Sequence, residues 1–359
     1  MRKLIFVLSI IICLAAMIIM ELGTEESVEE KPHKAGILMV GGWEDSSWNE
    51  AHRLGLEKAN ENLALPMEYE ENVTPETCVA VMERMIAEGC DIIVSTSVSF
   101  ENGVKDVAMQ HHDVYFLQAT GISVLPNLAP YMGRMYQARY LAGLAAGASS
   151  QTGAIGYIAV IPIPEVVRGI DAFTLGVRHA NPEATVYVKY TEDWSDDAAA
   201  RAAAERLLQE VPQIDVLGMH LDTYGPLEAA RAHGIHAIGC NSFNKAYEDV
   251  LLTATIWNWD ILYAKYLRDA VRGRLAGGSY LLGMETGIVD LAPLSPRCGE
   301  GAAQMVSEAR EELVQGERDV FYGPVYDQAG NLRVEEGESL PDATLFETLD
   351  WYVEGVRLP

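Results

Sequence analysis

The sequence predicts an α/β protein of two lobes, each built on a doubly wound parallel sheet. At 359 residues the chain is too long for one ordinary core. From residue 35 onward, short apolar segments rich in β-branched residues alternate with longer segments of helical periodicity, as in parallel sheets covered on both faces. The alternation begins again after Gln151-Thr152-Gly153, so we expect two similar halves with a cleft between them.

The N-terminal segment has the pattern of an export signal. A basic start at Arg2 and Lys3 precedes an apolar run that ends at Met20, and an acidic stretch follows. The pattern leaves open a cleaved signal peptide and a retained membrane anchor. Cys13 follows three isoleucines instead of small residues, so lipidation there, as in a lipoprotein, is the less favoured alternative. We exclude residues 1–33 from the fold.

The elements of each predicted half follow the alternation. In the first half we expect strands at GILMV, MEYEEN, DIIVSTS and VYFLQAT, with helices over 48–62, 75–88 and 100–110. In the second half we expect strands at AIGYIAVI, TVYVKY, DVLGMHL and HAIGC, with helices over 164–180, 196–210 and 226–233.

The remaining part, LLTATIW followed by a helix over 261–275 and LLGMETGIVDLAPLSP, is too short for a third lobe. We expect it to cross back to the first lobe and later to the second, which gives a hinge of several strands suited to closure around a ligand. The predicted division is residues 34–150 plus 256–292 for lobe 1, and 151–255 plus 293–359 for lobe 2.

The composition and the motifs exclude several classes of function. With 52 acidic and 26 basic residues the net charge is -26, which repels phosphate backbones, so nucleic acid is not an expected partner. No P-loop, nucleophile-elbow, zinc-protease or dinucleotide-binding motif is present. His220 near Asp222 is the one pair suited to acid/base work, and it lacks a nucleophile or metal partner. We therefore expect no catalysis and no cofactor.

The cysteines beyond the signal indicate neither a metal site nor a redox motif. They have no CxxC spacing and no paired histidine, so we expect no bound metal and favour buried free thiols. A disulfide between two of them stays open. The cysteines are Cys78, Cys90, Cys240 and Cys298.

Five of the six tryptophans fall near the carboxyl ends of predicted strands. Ligands of open parallel sheets bind at these ends. A cleft lined by flat aromatic faces suits a flat, weakly polar ligand such as a nucleobase, with a sugar ring as the main alternative. For any single tryptophan, packing is the competing interpretation. The five are Trp43, Trp48, Trp194, Trp257 and Trp259.

Polar residues at the same strand ends are candidates for orienting the ligand. Carboxylates accept hydrogen bonds from ring N–H groups, and amides both donate and accept. Helix capping or turn formation is the alternative role for several of them. The candidates are Asp45, Asn49, Ser97, Asp222 and Asn241. Glu165 and Arg168, near the start of a helix, could pair with each other at the surface or make a contact that closes the lobes.

Several long segments of the chain resemble the basic membrane protein family of substrate-binding proteins, which serve ABC transporters for purine nucleosides and related compounds. The matching segments are GGWEDSSWNEAHRLGLEKA, RMYQARYLAGLAAGASSQTGAIGYI, GIDAFTLGVRHANPEATVYV, IGCNS and FYGPVYDQAGNLRVEEGESLPDATLFETLDWYVEGV. The resemblance covers nearly the whole chain after residue 34 and implies the type I periplasmic-binding-protein fold.

The resemblance also assigns site residues. Asp45, Trp48 and Asn49 match the acid, aromatic residue and amide of the family after the first strand, and Trp194 matches a stacking aromatic residue of the second lobe. Asn241 stands where many nucleoside-binding members have an aspartate. The segment TIWNWD also lacks a lysine associated with ribose recognition. Both differences argue against nucleoside binding, and the stretches PIPEVVRGIDAFTLG and IWNW resemble a branch of the family that binds free purine bases.

Together these observations predict a monomeric, exported or membrane-anchored binding protein that delivers a purine base or nucleoside to an ABC permease. We expect the ligand to stack on Trp48 and Trp194, with Trp43 and Trp257 forming walls of the cleft. Asp222 and Asn241 would then recognise its polar edges. A ligand-sensing ectodomain and a sugar-binding protein of the same fold are the alternatives.

Overall fold

The computed structural model describes residues 33–43, 47–275 and 277–359. Residues Lys34–Pro359 form one compact unit. The predicted signal or anchor segment, including Cys13, lies outside the described residues, and so does the candidate site residue Asp45.

The first sheet is parallel throughout and carries helices on its faces. Its strands are β1 (Ala35–Leu38), β2 (Met67–Glu70), β3 (Ile92–Ser95), β4 (Tyr115–Ala119), β5 (Leu128–Gly133) and β11 (Tyr280–Leu282). They lie in the order β11-β5-β4-β3-β1-β2. The helices between them are α1 (Ser47–Asn60), α2 (Cys78–Ala87) and α3 (Glu101–Ala108). Every residue of β3 is buried, as expected for a strand covered on both faces.

The second sheet repeats this architecture. Its strands are β6 (Ala154–Ala159), β7 (Thr185–Tyr190), β8 (Val216–His220), β9 (His236–Gly239), β10 (Leu251–Trp257), β12 (Val289–Leu291) and β15 (Val356–Arg357). Their order is β12-β10-β9-β8-β6-β7-β15, and β12 runs antiparallel to β10. The helices are α5 (Pro164–Ala180), α6 (Asp197–Glu210) and α7 (Gly225–His233). The predicted pair of doubly wound lobes is confirmed.

The chain passes between the two sheets more than once. Helix α4 (Met135–Ser149) leads from β5 to β6, and α8 (Trp259–Val271) leads from β10 back to β11. The next strand, β12, lies in the second sheet again. Residues 289–291, which we assigned to the first lobe, thus pair within the second sheet, because β12 hydrogen-bonds to β10. The precise lobe boundaries stay a prediction.

The C-terminal part contains α9 (Ala302–Gln315) and a two-stranded antiparallel pair, β13 (Val325–Tyr326) and β14 (Leu332–Val334). Among the residues that the structure describes, no helix is both long and apolar enough to span a membrane. Cys78, Cys90 and Cys240 are buried free thiols, which confirms the favoured interpretation for these three, and Cys298 is a free thiol that is only partly buried.

Helices α4 and α5 pack with their backbones in contact. A Cβ atom added at Gly176 of α5 would overlap the carbonyl oxygen of Tyr140 in α4, and one added at Gly143 would overlap the carbonyl oxygen of Phe173. Glycine is therefore required at this crossing. The close packing fixes the relative positions of Arg139 on α4 and Arg168 on α5, two residues of the site described below.

Candidate ligand-binding site

A cavity of about 720 Å³ lies where the carboxyl ends of the two sheets face each other. Its lining comes from segments that follow β1, β2, β3 and β4 on one side and β6, β7, β8, β9 and β10 on the other. This volume lies within the range of clefts that bind small organic ligands. The location agrees with the rule for open parallel sheets on which the site prediction was based.

Most of the predicted site residues line this cavity. Those that do are Trp48, Asn49, Ser97, Trp194, Asp222, Asn241 and Trp257. Ser97 also accepts a hydrogen bond from the backbone N–H of Ser99 and so caps the turn that follows β3. The structure therefore brings together side chains from both sheets that are far apart in sequence.

Trp43 does not wall the cavity, which corrects our expectation. Its ring packs edge-to-face on Tyr69 of β2 with 4.1 Å between centroids, and the guanidinium of Arg53 lies 5.7 Å from its centroid. Among the described residues that line the cavity, Trp43 is not included. The indole therefore contacts β2, the last strand in the order of the first sheet.

The aromatic wall of the cavity has a second layer behind it. The ring of Trp257 stacks on Trp259 at 4.4 Å and 11°, and Trp259 stacks on His52 at 4.5 Å and 14°. Burial lowers the pKa of His52 to about 3, so this imidazole is neutral. Trp48 meets Trp257 edge-to-face at 5.9 Å. The tryptophan surface is thus supported by packed rings from both sheets.

The indole N–H of Trp48 is already bonded within the protein. Its Nε1 donates to the carbonyl oxygen of Thr96 at 2.8 Å, and this bond fixes the ring at the end of β3. A tryptophan whose N–H is satisfied in this way offers a ligand its ring face and edge instead of a donor. The geometry suits stacking.

Asn241 holds two other residues of the site in place. Its Nδ2 donates to Oδ1 of Asp222 at 2.8 Å, and its Oδ1 accepts a hydrogen bond from Nε1 of Trp257 at 3.0 Å. Its Nδ2 also lies 3.4 Å from Oγ of Ser47, at the start of α1 on the opposite side of the cleft. The amide therefore bonds to protein groups, and direct recognition of a ligand by Asn241 stays a prediction.

Asp222 is a carboxyl group with an unusual proton affinity. Burial raises its pKa from 3.8 to about 7, and the negative charge of Glu165 acts in the same direction. Arg139 and the hydrogen bond from Asn241 oppose this change. At neutral pH the carboxyl is present in both protonation states, so it can accept or donate a hydrogen bond at the cavity wall.

Two buried arginines of the cavity lining were not predicted as ligand-binding residues. Arg139 is 4% exposed and donates from Nη1 to Oη of Tyr157 at 3.0 Å and to the carbonyl oxygen of Met219 at 3.2 Å. The signal in the sequence was an arginine within RYLAGLAAGA, a helical segment that is otherwise almost entirely apolar. An arginine on a buried helix face is a functional candidate because its charge needs partners.

Arg168 is 5% exposed and reaches the C-terminal part of the chain. Its Nη1 donates to the carbonyl oxygen of Leu345 at 2.6 Å, and its guanidinium lies 4.0 Å from the ring centroid of Phe346. Burial lowers its pKa to about 10, which still leaves it charged at neutral pH. Of the two roles considered for Glu165 and Arg168, a surface pair does not fit a buried guanidinium bonded in this way.

His220 ends β8 and meets Trp194 edge-to-face at 5.6 Å. Burial, together with the charges of Arg139 and Arg168, holds its pKa well below the usual value, so the imidazole is neutral. Its Nδ1 is buried and has no hydrogen-bond partner within the part of the chain that the structure describes. Across all the residues that the structure describes, no group of three or more histidine, cysteine or acidic side chains is placed to hold a metal ion.

Two parallel-sheet lobes around a cleft that both sheets line define a two-lobed ligand-capturing protein of the periplasmic-binding type. The family of PnrA-like ABC transporter substrate-binding proteins, Bmp, matches residues 33–318. The chain belongs to this family, whose members are the substrate-binding components of ABC transporters, and the expected family is confirmed.

Among the curated relatives that match, two that are at least 30% identical to the chain bear on its ligand. A Haloferax volcanii protein, provisionally assigned as the glucose-binding protein of an ABC transporter, is 33% identical over 87% of this chain and 77% of its own. A purine-binding protein of Brucella abortus is 30% identical over 94% of this chain and 97% of its own.

Among solved structures, an ABC transporter solute-binding protein from Aeropyrum pernix superposes with a TM-score of 0.70 at 20% identity. The match covers 80% of this chain and 92% of that one. At this identity the likeness concerns the fold, and it agrees with the predicted periplasmic-binding architecture.

Proposed function

We propose that the protein captures a purine base or purine nucleoside between its lobes, outside the cytoplasm, and delivers it as a monomer to an ABC permease. The observation that carries the proposal is the presence of tryptophans on both sides of one cavity: Trp48 on the first-sheet side, and Trp194 and Trp257 on the second. Aromatic faces on two walls favour a flat ring that can stack as the lobes close.

Closure of the lobes is the mechanism of capture. A ligand that contacts both walls favours the closed state only by the difference between its affinities for the closed and open states. Stacking on Trp48 from one side and on Trp194 from the other is an interaction that the closed state alone provides in full. Asp222, fixed by Asn241, would then orient the ring through its polar edge.

A hexose is the second candidate ligand, because the Haloferax volcanii relative is assigned as glucose-binding. Tryptophan faces also bind the apolar face of a sugar. Carboxylates and amides at the rim, including Glu192, Asp193 and Asn72, could bond to hydroxyl groups. A ligand-sensing role without transport uses the same cleft and differs only in the partner.

A thermal-shift screen of the protein tests the ligand class. The panel contains adenine, guanine, hypoxanthine, xanthine, urate, their nucleosides and several sugars, since a ligand that binds only the folded state raises the unfolding temperature. We expect a shift with purines in the wild type, and its loss in Trp48→Ala and Trp194→Ala.

The matched control is Trp43→Ala, which removes an indole outside the cavity lining and should keep the shift. Each variant is compared with and without ligand, so that a change in intrinsic stability is separated from a change in binding. A response to sugars alone, or to none of the compounds, would contradict the purine proposal.

A further inference from the structure

The second-sheet side of the cavity contains two buried cations that form no short ion pair among the described residues, although the negative charge of Glu165 acts on both. Arg139 and Arg168 are 4% and 5% exposed, and within the described residues neither forms an ion pair within 4.0 Å. Buried charges in proteins are normally paired, because leaving water costs a charged group several kcal/mol. In a chain of net charge -26, two such guanidinium groups at one cavity wall require a physical explanation.

Neutral groups of the protein satisfy these guanidinium groups only in part. Arg139 donates to the oxygens of Tyr157 and Met219 and to Sγ of Cys240 at 3.5 Å, and Arg168 donates to the oxygen of Leu345. A guanidinium carries five N–H donors, so these bonds leave donors unused on both side chains. Because both arginines line the cavity, a bound ligand can supply the missing acceptors.

His220 adds a third polar group to the same wall. Its buried Nδ1 has no hydrogen-bond partner among the described residues, and it lies beside Gly169. A Cβ atom at Gly169 would sit 3.0 Å from this Nδ1 and 3.0 Å from Cδ of Arg139. The glycine leaves space between the two side chains. An unsatisfied buried nitrogen at a cavity wall is costly unless a ligand bonds to it.

Two carboxyl groups line this side of the cavity near the arginines: Asp222, which Asn241 holds in place, and Glu165, whose charge acts on both guanidinium groups. The unused guanidinium donors of Arg139 and Arg168 on this wall need acceptors on the ligand, whereas Asp222 can accept a hydrogen bond from it. A ring that carries carbonyl oxygens next to ring N–H groups has the complementary pattern. A ring that carries an exocyclic amine in place of the carbonyl would direct a donor toward donors.

We propose that Arg139, Arg168, His220 and Asp222 form a subsite that selects oxopurines, such as xanthine and hypoxanthine, over the aminopurine adenine. This inference rests on the proposed purine function and specifies its ligand class. Arg139 and Arg168 donate to carbonyl oxygens of the ring, and Asp222 accepts from a ring N–H. Adenine has an exocyclic amine in place of the carbonyl, so it leaves a guanidinium donor without a strong acceptor. A buried donor without an acceptor lowers the binding free energy by more than the loss of one ordinary contact.

Isothermal titration calorimetry with xanthine, hypoxanthine and adenine tests the subsite on the wild-type protein. We expect Kd for xanthine to be lower than Kd for adenine by about tenfold or more, the effect of one hydrogen bond to a charged group. In Arg168→Gln, xanthine should lose about tenfold in affinity, while adenine changes by less than about threefold.

The control variant is Arg178→Gln, on the same helix, whose arginine pairs with Glu354 at the surface at 3.2 Å. It should leave both dissociation constants unchanged. Because Arg168 also bonds to the Leu345 carbonyl, thermal unfolding of each free variant checks that it is folded. If Arg168→Gln does not fold, the ratio of the wild-type dissociation constants decides the question by itself.

Adenine binding as tightly as xanthine would overturn the subsite while the proposed purine function stands. If Arg168→Gln lost affinity equally for xanthine and adenine, Arg168 would not be part of the subsite. If no purine binds the wild-type protein, the proposed function fails and the subsite fails with it.

Discussion

Asn241 donates a hydrogen bond to Asp222 across the ends of two neighbouring strands, with 2.8 Å between Nδ2 and Oδ1. The same amide accepts a hydrogen bond from Trp257, so one residue determines the positions of an acid and an aromatic ring of the cavity. Asn241 has φ of 63°, a left-handed conformation that asparagine and glycine adopt more readily than other residues. Backbone and side chain thus both require this residue type.

Replacing Asn241 separates its two contributions. Asn241→Gly keeps the left-handed backbone and removes the hydrogen bonds, so we expect a loss of about 1–2 kcal/mol in the free energy of unfolding. Asn241→Ala removes the same bonds and adds backbone strain, for a further loss of about 1 kcal/mol. Urea unfolding of both variants measures the difference. An alanine variant as stable as the glycine variant would contradict a backbone contribution.

The raised pKa of Asp222 predicts a pH dependence of the free protein. The folded-state pKa of about 7 exceeds the usual 3.8, so between these pH values the folded state binds more protons than the unfolded state. The stabilisation is present at low pH and is lost as pH rises toward 7, by at most about 1.4 kcal/mol per pH unit.

Urea unfolding across this pH range, in the wild type and in Asp222→Asn, isolates that contribution. Asp171, whose pKa burial also raises, remains in both proteins and cancels in the difference. We expect the wild-type free energy of unfolding to fall more steeply with rising pH than that of the variant. Parallel curves would show that Asp222 titrates normally.

The contact between α4 and α5 predicts a large effect of a single methyl group. Gly176→Ala places a Cβ atom against the carbonyl oxygen of Tyr140, and the backbone cannot move aside without separating the helices. We expect a net loss of about 1–3 kcal/mol, although alanine is the better helix former. Gly278→Ala, where the nearest atoms lie 3.9 Å away, is the control and should change stability little. Thermal unfolding compares the two.

The net charge of -26 predicts that salt stabilises the fold. Self-repulsion weakens as the Debye length falls from about 30 Å at 0.01 M salt to about 3 Å at 1 M. We expect the unfolding temperature to rise with NaCl concentration over this range. A parallel series with a neutral osmolyte distinguishes charge screening from preferential exclusion. A decrease of the unfolding temperature with NaCl would indicate that ion pairs, which salt weakens, dominate instead.

Much of the fold could be predicted because its elements have clear periodicity. The structure confirms the predicted helix Pro164–Ala180 and the predicted strand Thr185–Tyr190 with unchanged bounds. Strands β5, β11 and β12 were not predicted as separate elements. Both Tyr280–Leu282 and Val289–Leu291 contain only three residues, and such short segments have no periodicity that a sequence pattern can detect.

The site was predictable where position along the chain determines position in the fold. Strand ends converge in any open parallel sheet, so the rule placed Trp48, Trp194 and Asp222 at one cavity. The strand-end rule does not predict the direction in which a side chain on a turn points. Trp43 follows the same strand as Trp48, yet it packs on Tyr69 outside the cavity lining.

The sequence by itself determined the alternation of strands and helices, the two halves and the strand ends that carry the tryptophans, because periodicity and composition are local properties. Only the tertiary structure decided that Asn241 fixes Asp222 and Trp257, and that Arg139 and Arg168 are buried at one wall without a short ion pair among the described residues. Whether a side chain is buried or paired depends on which helices pack together. The glycine contact between α4 and α5 sets how these two helices pack.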